Sequence, residues 1–366
     1  MSESVSKPTI LFPLRLDRAG NPQATIHRTI ATNPSTQNSF NFISFANNPL
    51  EFSSVQNLKT YWTSSNRFFD ALIINFKSIA ISYKWDAIHL GPNPALKPLA
   101  LFAKLFGKKI ITTIHEAPSY TQERGSITRY LLELLASVAN VRVSVSQFVK
   151  KEVQSMWGMN SIVVHNGVDT SFFNPKKRDV SRAEEILCIK LGKRKLVLFV
   201  GSLIEGKGVL DVLENCKLRT DVVCAFIGNG PLKQKILDCA KLSPHIIQKD
   251  FLTPAELAII YPSADVLFFP SRIDSFGLVY LEALASGTPV LSIRAAAAPE
   301  IISDDVGILC NPVQPFFAVG LANIFKKRYS RLKIAKYAQD NFSNDIMVRN
   351  YLHVYEQLFE ISQGEK

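Results

Sequence analysis

The sequence has no apolar run of the ~18 residues that a bilayer-crossing helix needs. Its nearest approach, Gly277–Ile293, is interrupted by Glu282. A secretory leader pattern is also missing, because Lys7 and Pro8 lead straight into the short run Ile10–Leu11–Phe12. Cysteine is scarce. The five present (Cys188, Cys216, Cys224, Cys239 and Cys310) form no C-x-x-C pair, as expected of reduced thiols in a cytosolic protein. No D-x-D occurs, so the usual carboxylate pair for Mg²⁺ or Mn²⁺ is absent. His115–Glu116 is followed by Ala117, Pro118 and Ser119, which is no H-E-x-x-H zinc site. These absences set aside a secreted or membrane-spanning protein and leave the expectation of a cytoplasmic one with no bound metal.

What is present is a long, well-mixed chain. A single hydrophobic core stops growing near ~250–300 residues, so 366 residues imply two domains. An apolar share of 47% with 20% charged residues excludes disorder as the main state. The net charge of +11 is uneven: residues 1–180 hold 20 basic and 11 acidic side chains, residues 181–366 hold 22 and 20. A basic half suits nucleic acid, an anionic membrane surface or a solvated face. Nucleic acid lacks support, since no aromatic-basic interleaving or known binding module accompanies the charge. The densest basic stretch is Ala95–Lys109. At helical spacing its Lys97, Lys104 and Lys108 share one face, with Leu99, Phe102, Ala103 and Phe106 as the apolar surface. That pattern fits a half-buried helix with a wet edge as well as a membrane-docking one.

Short apolar runs alternate with helical patterns throughout. Strands are expected at Thr9–Phe12, Phe40–Ser44, Ala87–Leu90, Lys109–Ile114, Val141–Val145 and Ser161–His165. A second set falls at Leu196–Val200, Val222–Ile227, Val266–Phe269 and Pro289–Ile293. Strands without in/out alternation, separated by helices, indicate parallel sheets covered on both faces, hence two doubly wound α/β domains. The polar, charged segment Asn174–Lys195 marks the boundary between them. The resulting division is an N-terminal domain over 1–178, a linker over 179–194, a C-terminal domain over 195–343 and a terminal helix over 344–366.

Leu196–Gly208 (LVLFVGSLIEGKG) carries the sharpest local signal. A buried strand runs into Gly201, then Gly206–Lys207–Gly208, and a helical pattern starts at Val209. Glycines allow close backbone approach, a helix start offers free N–H groups and a lysine supplies a point charge, which together suit phosphate. The spacing approaches a P-loop, but Gly208 stands where that motif needs a Ser or Thr. Phe226–Pro231 (FIGNGP) is by itself only a βα turn. In Pro262–Pro299, a strand ends at Pro270, a loop carries Arg272 and Asp274, and Leu278–Ala285 has helical character. Asp274 fits either a sugar-hydroxyl acceptor or an N-cap for that helix, and Glu282 either a ligand acceptor or a solvent-facing helical residue.

Taken together, VGSLIEGKG, FIGNGPL, PSADVLFFPSRIDSFGLVYLEALASGTPV and the PEII at Pro299–Ile302 resemble the donor domain of family 4 glycosyltransferases. ITTIHE, VSVSQFVKKEV and VVHNGVDTSFFNP in the first half are similar to the same family, as is the terminal FSNDIMVRNYLHVYEQL. The resemblance spans Asp86 to Leu358 and implies the GT-B fold, two Rossmann-like domains facing across a cleft, with the last helix crossing back onto the first. It implies retaining, metal-free transfer of a sugar from a UDP- or GDP-linked donor to a glycan or lipid-linked acceptor. By position Glu282 would accept from the nucleotide ribose, Asp274 would contact the donor sugar, Lys207 would neutralise the diphosphate and His115 would lie near the transferred sugar. Gly201 and Ser202, with the N–H groups of Phe276, Gly277 and Leu278, would meet the phosphates, while Gly20 and Asn21 fall on the acceptor side.

Four departures from the family pattern bear on this. Ser202 replaces an arginine, which removes a bidentate phosphate partner. Asp274 shortens a glutamate by one methylene. Alanines at Ala295–Ala298 replace glycines, and the glycine-rich loop after the first strand is reduced to Arg15–Asn21 with the single Gly20. The alternative these leave is a catalytically weak nucleotide-sugar-binding scaffold. The basic first half further suggests an anionic membrane surface as a partner, with the protein peripheral on its inner face.

Overall fold

The computed structural model describes residues 7–16, 22–63, 67–91, 93–120, 126–311 and 316–364. The chain divides into two units. The first comprises Met1–Asn166 and Asp345–Lys366, the second Gly167–Asn344.

The first unit is built on seven parallel strands: β1 (Thr9–Arg15), β2 (Asn41–Ala46), β3 (Leu58–Trp62), β4 (Ala87–Leu90), β5 (Lys109–Ile114), β6 (Val141–Ser144) and β7 (Ile162–Val163), in the order 3-2-1-4-5-6-7. The second has six: β8 (Lys195–Val200), β9 (Val222–Ile227), β10 (Ile246–Lys249), β11 (Val266–Phe268), β12 (Val290–Ile293) and β13 (Gly307–Cys310), in the order 10-9-8-11-12-13. Both are doubly wound Rossmann-like sheets. Their central strands are buried along their whole length, as the lack of alternation in the sequence required. In each sheet the order reverses beside the first strand, between β1 and β4 and between β8 and β11. Ligands of such sheets bind at that switch, outside the carboxyl ends of the strands.

Three strands carry no signal in the sequence: β3, β10 and β13. All are sheet edges, where one side needs no apolar cover, so Lys59, Gln248 and Lys249 sit within them.

The expected linker over 179–194 is instead folded into the second unit. Asp179 caps the helix Val180–Leu187 by accepting from the Arg182 N–H, and Glu184 accepts from the Leu191 N–H at 2.7 Å. Ala183, Leu187 and Leu191 recur every four residues and are buried, while the charged residues between them make the wet side. The unit boundary accordingly lies at 166/167.

The terminal helix, Asn344–Gly364, belongs with the first unit. Met347, Val348, Tyr351, Val354, Tyr355 and Leu358 are buried against the strand core that includes Ile10, Phe12 and Phe42. The two chain crossings run side by side: Val168 bridges Ser343, and the Asn344 N–H donates to the Val168 carbonyl. Gly167 is required there, because a Cβ would meet Asn344 Oδ1 at 2.7 Å.

In the stretch Ala95–Lys109 the helix is Lys97–Leu105, and Gly107 in the left-handed region (φ +64°) turns the chain out of it. Lys108 therefore leaves the face it was expected to share. Its ammonium donates to the Trp85 carbonyl at 2.7 Å and lies 5.3 Å from the Trp85 ring centroid.

Candidate donor site

The second unit gathers its sequence-predicted residues at the switch between β8 and β11. After β8 the chain makes a turn at Gly201, passes exposed Ser202 and forms the short 3-10 turn Glu205–Lys207 before the helix Val209–Cys216. Gly208 (φ +76°) makes this joint, and a Cβ on it would lie 2.5 Å from the Pro270 carbonyl oxygen. The loop after β9 zips against the same turn: Leu203 N–H donates to the Asn229 carbonyl and Leu232 N–H to the Leu203 carbonyl. A Cβ at Gly228 would collide with the Gly201 carbonyl. The FIGNGP turn is thus the backing of the Gly201–Gly208 loop, a role its own residues do not announce.

Lys207 reaches the other side of the switch and pairs with Asp274, Nζ to Oδ2 at 2.7 Å, both side chains largely buried. Its ammonium also lies 5.8 Å from the Phe269 ring centroid. Asp274 does not cap the following helix. Gly277 (φ +85°) is the N-cap of Leu278–Ala285 and has no capping side chain, because Asp274 is turned to Lys207. Tyr280 fixes the helix to the end of β11, donating to the Phe269 carbonyl at 3.1 Å. The N–H groups at a helix start have no partner within their own helix; those of the Gly277–Leu278 start lie in the segment directly after Asp274.

Glu282 lies one turn in from this start, half-buried, where Tyr261 donates to its Oε2 at 2.7 Å. Burial raises the carboxyl to about 7, against the opposing pull of the Tyr261 hydrogen bond. It is therefore not a solvent-facing helical residue. Tyr261, on the helix Pro254–Ser263, is the partner that sequence reasoning missed; nothing in its spacing marks it out.

The alanine loop is tied to the same point, Ala297 N–H donating to the Asp274 carbonyl at 3.3 Å. Ala296 sits in the left-handed region (φ +50°), a conformation that is costly for a residue with a Cβ. Ala296→Gly is expected to stabilise the second unit by about 1 kcal/mol, seen as a rise of about 2–4 °C in Tm by calorimetry. An unchanged or lowered Tm would show that the loop carries no such strain.

His115 belongs to the first unit, just past β5. Its Nε2 is buried without a hydrogen-bond partner, and burial lowers its pKa to about 4, so the ring is neutral near pH 7. Two further histidines surround this end of the sheet. His89, on β4, meets the Tyr355 hydroxyl through Nδ1 at 2.8 Å and the Thr113 hydroxyl through Nε2 at 2.7 Å. His27 lies against His89, ring centroids 4.6 Å apart, and stacks on Phe12 at 4.4 Å. Gly20 and Asn21 lie outside the described residues.

Two Rossmann-like units, the second with a glycine-rich turn, a largely buried lysine–carboxylate pair and a half-buried glutamate at its switch, have the architecture of the GT-B class of glycosyltransferase fold. The family models agree: residues 189–341 match glycosyl transferases group 1, and residues 42–172 match glycosyltransferase family 4. The chain belongs to family 4 of the glycosyltransferases. It is 30% identical over 258 residues to a sulfoquinovosyl transferase of Arabidopsis thaliana, covering 63% of this chain and 48% of that protein. It is 27% identical over 230 residues to a GDP-mannose-dependent alpha-(1-6)-phosphatidylinositol monomannoside mannosyltransferase of Mycolicibacterium smegmatis, covering 57% and 59%. The chain thus spans about half the length of these two curated relatives. Among solved structures, sucrose-phosphate synthase from Thermosynechococcus elongatus superposes with a TM-score of 0.80 at 17% identity, covering 97% of this chain and 100% of that one; this likeness concerns the fold.

Proposed function

We propose that the protein transfers a sugar, with retention of configuration and without a metal ion, from a UDP- or GDP-linked donor to a glycan or lipid-linked acceptor. The observation that carries this reading is the Lys207–Asp274 pair at the β8/β11 switch. A diphosphate arriving there exchanges one anionic partner of Lys207 for another, so the ammonium is held in place before the leaving group develops charge. The helix start after Gly277 adds backbone N–H groups and the positive end of the helix dipole. Asp274, released from Lys207, is placed to accept from a donor-sugar hydroxyl, and Glu282 from the ribose. Neutral His115, with Nε2 unsatisfied, suits a sugar hydroxyl. The departing phosphate takes the acceptor's proton, so no dedicated base is needed. The absence of D-x-D supports the metal-free route, and the GDP-mannose dependence in the name of the mycolicibacterial relative supports a guanosine donor. Cysteines that form no disulfide fit work in the cytoplasm, where a lipid-linked acceptor is met at a membrane face.

A panel of UDP- and GDP-sugars with product detection by mass spectrometry tests the reading. Turnover is expected to persist in EDTA. Glu282→Ala is expected to weaken donor binding about 10–100-fold, the worth of hydrogen bonds to a charged group. Because the carboxylate form prevails only above about pH 7, donor affinity of the unaltered protein falls as the pH drops below 7, while that of Glu282→Gln stays flat. Absence of both turnover and nucleotide binding across the panel removes the proposal. Calorimetric binding with no turnover selects the scaffold reading that Ser202 and Asp274 motivate.

A further inference from the structure

The helices Arg67–Ala80, Lys97–Leu105 and Ser126–Val138 pack side by side in the first unit. Their inward residues, among them Ile74, Leu99, Ala103 and Leu135, join one buried core. Their outward residues are also apolar. Leu72 and Phe76 stand one turn apart on the first helix, Leu101 and Leu105 one turn apart on the second, with Phe106 at its end and Tyr130 on the third. Leu105 is 83% exposed, Phe76 76%, Phe106 65% and Tyr130 62%. Phe106 is stacked on Phe102 with centroids 4.4 Å apart, which holds its ring in place at the surface. Single exposed apolar residues are ordinary on any protein, but six large ones on three adjacent helices form the kind of patch that marks an interaction site.

Charge narrows the partner. Residues 67–109 carry seven basic and two acidic side chains. Both acids are committed to the fold: Asp70 accepts from the Thr63 hydroxyl at 2.7 Å and Asp86 from the Thr9 N–H at 2.8 Å. Lys104 is exposed beside Leu105, and Lys97 lies with its ammonium 5.8 Å from the Tyr130 ring centroid. In sequence the segment Ser126–Val138 holds one basic and one acidic residue, so it adds no net charge. Protruding leucines and phenylalanines, with lysine stems running along the same surface, match the boundary between acyl chains and anionic headgroups. We propose that this three-helix face docks the protein on an anionic lipid bilayer, Leu105 and Phe106 entering the acyl boundary and Lys97 and Lys104 meeting the headgroups. The docking face and the donor site occupy different units, so their tests are independent.

The test is flotation with phosphatidylcholine vesicles containing none, a third or two thirds phosphatidylglycerol. Binding is expected to rise with phosphatidylglycerol and to fall with salt. Lys97→Gln/Lys104→Gln is expected to bind the charged vesicles about 30-fold more weakly, the usual worth of two basic residues near such a surface. Leu105→Ser/Phe106→Ser is expected to lose binding at least tenfold at every composition, while Leu242→Ser/Leu332→Ser, removing two equally exposed leucines from the second unit, leaves it unchanged. Circular dichroism verifies that each variant is folded. No binding to any vesicle, or equal loss in both leucine variants, overturns the proposal. So does a dimer in analytical ultracentrifugation that Leu105→Ser/Phe106→Ser dissociates while vesicles fail to bind, which would assign the face to a second copy of the chain.

Discussion

Replacing Lys207 by methionine is expected to lower kcat about 10²–10³-fold, the usual cost of deleting one preorganised charge stabiliser. The size of the effect follows from its surroundings. Lys207 is held by Asp274 at 2.7 Å and lies 5.8 Å from the Phe269 ring centroid, so its position does not depend on the ligand. Lys207 is the one basic residue of the Gly201–Gly208 loop. Arginine at 207 is not expected to restore the rate. The planar guanidinium presents its donors in a fork rather than at a point. Steady-state rates over a donor titration check this, because the loss should appear in kcat more than in KM. A Lys207→Met protein within threefold of the unaltered rate would remove Lys207 from the chemistry.

The first unit is expected to lose stability steeply under mild acid. Burial holds His27 well below its ordinary pKa, His89 at about 3 and His115 at about 4, each lowered further or set chiefly by desolvation. In the unfolded chain all three titrate near 6.5. Between those values the unfolded state binds the extra protons, so stability is complete above about pH 6.5 and declines as the pH falls toward 4. Three such groups cost about 4 kcal/mol by pH 5.5 relative to pH 8, a large part of the marginal stability of a domain. Urea titrations at pH 8 and 5.5 followed by circular dichroism should show that difference, and His27→Phe, which keeps an aromatic ring against Phe12, should reduce it by about a third. Midpoints that do not move between the two pH values would show that the histidines do not titrate in this way.

Central strands and the turns at the β8/β11 switch were legible in the sequence for the same reason: their residues answer to one constraint each. β4, β5 and β9 are buried on both faces and read as short runs without in/out alternation, so their observed limits match the expected ones. The edge strands β3, β10 and β13 answer to two environments and left no pattern. The segment 179–194 was misread because composition records its wet side, whereas every fourth residue, from Ala183 to Leu191, records its buried one. At the site, the positions of Lys207, Asp274 and Glu282 followed from motif order. The pairing of Glu282 with Tyr261, 21 residues earlier, did not, because it is made by two helices meeting in space. Likewise the crowding of His27, His89 and His115 depends on three elements converging at one end of a sheet, and no spacing in the chain reports it.

The paired crossings at Gly167–Val168 and Ser343–Asn344 make the second unit an insertion in the first. On the ribosome, where domains form as the chain emerges, this reverses the usual order. The second unit has all its residues once Asn344 is out, while the first still lacks Tyr351 and Tyr355, the latter being the hydroxyl partner of His89. The earlier-made half of the protein is therefore the later to be finished, and until then its strand core of Ile10, Phe12 and Phe42 is open to misassembly.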